Sequence, residues 1–139
     1  HLLSLINDIL DMQKIEAGQM HFVFKLQNIK PVLQAAVQEL SYYAVQHQVR
    51  FVLETELTDI QLQVDGDRLM QVLANLLSNA AKFSPDNVPI EIKIQQQEQF
   101  LQVDIIDQGI GIPEDEREQI FDKFYTMQRG DRGKTGTGL

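Results

Sequence analysis

Four stretches of this chain alternate apolar and polar residues with a period of two: "VRFVLETEL" at 49–57, "IQLQVD" at 60–65, "PIEIKIQQQ" at 89–97 and "FLQVDIID" at 100–107. Such alternation predicts strands with one face buried and the other toward water. A sheet of that kind needs a second layer over its apolar face. Two amphipathic helical stretches supply it. One runs from about Ile29 to His47, with Pro31 tolerated in its first turn; the other is Arg68–Phe83, capped by Asp65 or Asp67 and ended before "SPDNVP". The expected fold is α+β: a two-layer α/β sandwich around one core. "HFVFKLQNI" adds a short strand through Phe22, Phe24 and Leu26. Ahead of it, Leu2, Leu3, Leu5, Ile6, Ile9, Leu10 and Ile15 repeat at helical spacing, and Gly18 supplies a stop. This first helix is expected to seek another helix. After "FLQVDIID" the chain becomes glycine-rich, with one short helical stretch, "PEDEREQIF".

Charge narrows the partners. The net charge is −8 and the pI about 4.7, which argues against nucleic acid or an anionic membrane surface as the main partner. A nucleotide is not excluded, because a phosphate needs only a local site. Absence of cysteine removes disulfides and thiolate chemistry. No apolar run reaches the roughly 20 residues of a membrane span, and no signal peptide is visible. Both ends look cut: the chain opens inside a helical pattern and stops at "GTGL".

The helix in "LANLLSNAAKF" carries an unusual polar stripe. At about 100° per residue, Leu69, Leu73, Leu76, Leu77 and Ala80 share one broad side, and Arg68, Gln71, Asn75, Asn79 and Lys82 share the other. A solvated helix face would be the commoner explanation. Asparagine, however, is a poor helix former that a bland surface does not favour. The trio also suits a charged ligand: an amide oxygen ligates Mg²⁺, an amide NH₂ donates to phosphate, and a lysine adds a point charge.

Two glycine-bearing stretches accompany it. In "DQGIGIP", Asp107 ends a predicted strand, and Gly109 and Gly111 let the backbone turn and approach a ligand. Alone this is a common turn. In "GKTGTGL", Gly133, Lys134, Thr135, Gly136, Thr137 and Gly138 can form a nest of backbone N–H groups around a phosphate. It is not a P-loop, which needs a further glycine upstream at a fixed offset.

Taken in order, "NLLSNAAKF", "DQGIGIP", "IFDKFY" and "GTGL" closely resemble the ATP-binding domain of sensor histidine kinases: the N box, first glycine box, F box and second glycine box. "LINDILDMQKIEAGQM" resembles the end of the second dimerisation helix that precedes this domain. The resemblance covers essentially the whole chain. It implies the Bergerat (GHKL ATPase) fold, a mixed sheet packed on helices. Residues 1–18 would be the C-terminal part of the dimerisation helix, and 19–139 an ATP-binding catalytic domain incomplete at its C-terminus.

Residue by residue, the resemblance implies Mg²⁺ at Asn79 and phosphate contacts at Asn75 and Lys82. Asp107 would accept from the adenine amino group. Gly109, Gly111 and Ile112 would shape the floor beside the base and begin a lid, and Phe83 would touch the adenine. Thr135, Gly136, Thr137, Gly138 and Leu139 would close on the phosphates. Phe121, Phe124 and Tyr125 would anchor the lid by apolar packing. The implied cofactors are ATP and Mg²⁺. The implied partners are the protein's own dimerisation domain, a response regulator or receiver domain, and a second copy in the parent; nucleic acid is not among them. The implied location is cytoplasmic, with membrane anchoring left to segments outside this chain.

The phosphoacceptor histidine of that family lies on a helix upstream of residue 1, and His1, His21 and His47 all lack its context. The chain is therefore expected to bind ATP without phosphorylating itself. Two other readings compete. A gyrase-, chaperone- or mismatch-repair-type ATPase would carry a catalytic glutamate on the Asn-bearing helix, and residues 68–83 contain none. A non-catalytic interaction module would have no use for the set Asn75, Asn79, Asp107, Gly109 and Gly111.

Overall fold

The computed structural model describes residues 2–56, 59–123 and 125. The chain divides into two units, residues 1–22 with 112–139, and residues 23–111.

The larger unit is the sandwich. In chain order it contains β1 (Lys25–Asn28), α2 (Ile29–Glu39), α3 (Ser41–Gln46), β2 (Arg50–Glu54), β3 (Gln61–Val64), α4 (Gly66–Phe83), β4 (Pro89–Gln96) and β5 (Leu101–Ile106); α1 (Leu2–Glu16) belongs to the other unit. β4 is the central strand of a three-stranded mixed sheet, parallel to β2 and antiparallel to β5. β1 and β3 form a separate antiparallel pair. The period-two pattern dictates which face is buried: Ile90, Ile92 and Ile94 of β4 point inward, and Glu91 and Lys93 pair on the other face at 3.3 Å. With Ile92 and Ile94 pack Ile29, Leu33 and Ala36 of α2 and Leu73 and Leu77 of α4. Nearer the end of α4, small residues let the helix sit close: Ala80 and Ala81 join Ala44, Val49 and Ile90 in a second buried cluster.

Four expectations are corrected. The helix expected over 29–47 breaks at Leu40, whose N–H turns to Ala36 O and Gln38 O. The Ser41 hydroxyl donates to the Gln38 carbonyl at 2.7 Å, satisfying an end that no glycine or proline marks. The strand expected from His21 pairs only from Lys25, because β3 stops at Val64. Beyond that point the Val23 N–H donates to the Asp65 side chain at 2.9 Å, and Phe22 and Phe24 stay exposed. Leu76, assigned to the apolar side of α4, is 49% exposed. Finally, "PEDEREQIF" forms two single 3₁₀ turns, Glu114–Glu116 and Gln119–Phe121, since so short an acidic segment cannot offset helix nucleation.

Asp65, one of the two expected caps, caps α4: Oδ1 accepts from the Arg68 N–H at 3.2 Å. The other oxygen takes the Val23 N–H. These bonds, Val23 first and Arg68 second, hold the carboxyl below its ordinary range. The stabilisation is therefore complete above the usual carboxylate pKa and is lost as pH falls through the lowered value. Asp65→Asn is expected to lower the urea midpoint at neutral pH, and the gap from wild type should close in acid. A constant gap would contradict this assignment.

In the smaller unit, α1 has no buried residue among those described, and Leu2, Leu3, Ile6, Ile9, Leu10 and Ile15 are exposed. Gly18 ends it at φ +66°. Lys123 pairs with Glu16. Partial desolvation and then a hydrogen bond to Glu116 push the Tyr125 hydroxyl pKa up. Phe121, expected to pack, is 88% exposed on its 3₁₀ turn. Phe124 lies outside the described residues.

Candidate nucleotide site

α4 and the loop after β5 carry the candidate site in the larger unit. The helix is amphipathic because its buried stripe, Leu73, Leu77, Ala80 and Ala81, occupies one side. That leaves Asn75 and Asn79 exposed on the other, one turn apart. Lys82 follows, half-buried, its Nζ 5.3 Å from the centre of the Phe83 ring. The amide stripe is not bordered by polar residues alone. Val72, Leu76 and Phe83, at helical spacing beside it, are exposed apolar residues. A polar stripe edged by uncovered apolar side chains suits a ligand with both charged and apolar parts. Leu76 was expected on the apolar side because a helical wheel assigns a flanking leucine to the core by default.

β5 delivers the second part. Leu101, Val103 and Ile105 pack against the main core. The alternation continues one step past Ile106 to Asp107, on the same face as Ile105. The β4–β5 register pairs Glu91 with Ile106. Extended by one residue, it sets Asp107 opposite Ile90, which is wholly buried in the cluster with Ala80 and Ala81. The carboxylate stays exposed, and its Oδ1 accepts from the Gly109 N–H at 2.8 Å. Oδ1 is thereby tied to the loop.

Gly109 is needed for closeness, not for conformation. A Cβ there would lie 2.7 Å from the Phe83 carbonyl oxygen and 3.1 Å from Asp107 Oδ1. The loop backbone is therefore pressed against the last turn of α4, which brings Asp107 and Phe83 into one neighbourhood. Gly111, at φ +74° in open space, has the left-handed conformation that glycine alone adopts without strain. Ile112 falls in the other unit and is 40% exposed. Thr135, Gly136, Thr137, Gly138 and Leu139 lie outside the described residues, as does His1. His21 is exposed, and His47 caps α3 with its ring 4.4 Å from that of Tyr43.

An amide-bearing helix beside a strand-end carboxylate and a glycine turn defines a nucleotide-binding module of the histidine-kinase type. Residues 64–139 match the family described as histidine kinase-, DNA gyrase B-, and HSP90-like ATPase, and the chain belongs to it. Among similar proteins, the sensor histidine kinase WalK of Bacillus subtilis is 31% identical over 141 residues, covering 99% of this chain and 23% of WalK. Full-length ShkA, solved in complex with AMPPNP, superposes with a TM-score of 0.79 at 25% identity, over 100% of this chain and 28% of that one. The histidine kinase ThkA, solved in complex with the response regulator protein TrrA, gives 0.73 at 25% identity, over 89% of this chain and 37% of ThkA. The chain thus spans about a quarter of WalK's length. No helix among the described residues is long and apolar enough to cross a membrane.

Proposed function

We propose that this chain is the ATP-binding catalytic domain of a sensor histidine kinase. In this reading it binds Mg-ATP and positions the γ-phosphoryl group for in-line transfer to a histidine on a dimerisation helix. The carrying observation is the geometry of the larger unit: Asn75, Asn79 and Lys82 on the open face of α4, with the loop from Asp107 to Gly109 held against the end of that helix. Adenine meets Asp107, whose carboxylate only accepts and so selects the exocyclic amino donor. Phe83, Leu76 and Val72 give the base and sugar apolar contact. Asn75 and Lys82 face the phosphates, where the lysine charge offsets phosphate charge. Catalysis in this class of reaction is positioning plus electrostatics.

The donor set also fits Mg²⁺. The amide oxygen of Asn79 is a hard ligand, and no three His, Asp or Glu side chains cluster as a metal cage among the described residues. An ion here would take its other ligands from phosphate and water, the usual habit of Mg²⁺. When bound, it would neutralise charge on the phosphates.

The acceptor is a histidine outside this chain; His1, His21 and His47 are not used. The parent works as a homodimer in the cytoplasm and passes the phosphoryl group to a response regulator or receiver domain, as the ThkA–TrrA complex suggests by analogy. Residues 1–18 are, in this reading, the end of the dimerisation helix.

Asn79→Ala is expected to weaken an ATP analogue about tenfold in the presence of Mg²⁺ and little in its absence. Calorimetry with and without a chelator measures this. An equal loss under both conditions would remove the metal from Asn79.

A further inference from the structure

The backbone after α1 stays bonded to that helix as far as Gln19, whose N–H donates to the Lys14 carbonyl at 2.8 Å around the left-handed Gly18. Regular pairing resumes at Lys25, opposite Val64. Five residues, Met20–Phe24, lie between. The division between the two units falls among them, after Phe22. One side chain from far along the sequence reaches this stretch. Asp65 Oδ2 accepts from the Val23 N–H at 2.9 Å, across 42 positions of sequence. Its Oδ1 meanwhile caps α4 through the Arg68 N–H at 3.2 Å.

The two bonds have different roles. Asp65 is held in place by α4 itself: it has the extended backbone of an N-cap, and its carbonyl takes the Leu69 N–H at 2.9 Å. With Oδ1 committed to the cap, Oδ2 is aimed in a fixed direction, toward Val23. A charged acceptor holds an N–H more firmly than a neutral one. This bond is nevertheless exposed to water, where it opens and recloses without unfolding the unit. What changes on opening is the length of the connection. Closed, the chain from Gln19 to its first anchor on the larger unit is Met20–Phe22; open, it is Met20–Phe24. At about 3.3–3.6 Å per residue, two released residues lengthen its reach by about 7 Å.

We propose that Asp65 is a latch: by taking or releasing the Val23 N–H, it sets the length of the connection between α1 and the larger unit. The latch itself needs no nucleotide. Its consequence for phosphoryl transfer rests on the nucleotide reading above: a unit that carries a phosphoryl group to a histidine outside it reaches further when the latch is open.

The test uses Asp65→Ser, whose hydroxyl caps a helix about as well as a carboxylate but offers a single oxygen, so the cap is kept and the latch removed. Asp65→Ala, which loses both, is the comparison. Native-state hydrogen exchange is expected to run about tenfold faster at the Val23 amide in Asp65→Ser than in wild type, with the Arg68 amide alike in the two. In Asp65→Ala both amides should exchange faster. Because the chain has no cysteine, Asn7→Cys and Gln63→Cys place one spin label on α1 and one on β3, both at exposed positions. With Asp65→Ser added, the longest distances between the labels should grow by up to about 7 Å. An unprotected Val23 amide in wild type would overturn the inference, as would one that stays protected in Asp65→Ser. So would Val23 and Arg68 released together in Asp65→Ser, or unchanged label distances once Val23 is released. None of these readouts involves nucleotide, so such a failure would leave the nucleotide reading standing.

Discussion

Asp107→Asn is expected to lower affinity for adenine nucleotides by about one to two orders of magnitude, with little change in melting temperature. The substitution is nearly isosteric, and the asparagine oxygen can still accept from the Gly109 N–H, which Asp107 Oδ1 now takes at 2.8 Å. The other carboxylate oxygen becomes an NH₂. That group would face the adenine amino group donor to donor, leaving both without an acceptor. A purine nucleotide lacking the 6-amino group should bind wild type and variant with much closer affinities. Calorimetry on the four combinations isolates the contact. A uniform loss with both nucleotides would instead mean that Asp107 acts only by shaping the loop.

Leu77→Ala is expected to cost about 3 kcal/mol of folding stability, within the range of about 2–5 for buried leucine truncations. Leu77 is 1% exposed and sits between α2 and the isoleucines of β4. A melting temperature roughly 10 °C lower should follow for a domain of this size. Leu76→Ala is the control. It removes the same atoms one residue away, yet Leu76 is half exposed, so stability should change by less than about 0.5 kcal/mol. Its effect should appear in nucleotide affinity instead. Equal destabilisation by both would contradict the orientation of α4.

The pair Leu76 and Leu77 also marks where the sequence stops being informative. Periodicity gives the helix and its two faces, but the width of the buried stripe depends on how closely α4 approaches the sheet. Ala80 and Ala81 narrow that gap at one end, and Leu76 stays outside. The position of Asp107 was legible for a simple reason: it continues the alternation of β5 by one residue. Gly109 was legible as a glycine that permits close approach, but that it approaches the Phe83 carbonyl depends on a helix distant in sequence. The break at Leu40 hides in a local Ser41 bond, and the late start of β1 in the Asp65 carboxylate.

The central claim is that α4 and the Asp107 loop bind Mg-adenine nucleotide. The most direct measurement is calorimetric titration of a non-hydrolysable ATP analogue into this chain, with Mg²⁺ and with chelator, and with the guanine analogue for comparison. The account predicts saturable binding at one site, tighter with Mg²⁺ and absent or far weaker for guanine. No binding, or binding indifferent to base and metal, would contradict it.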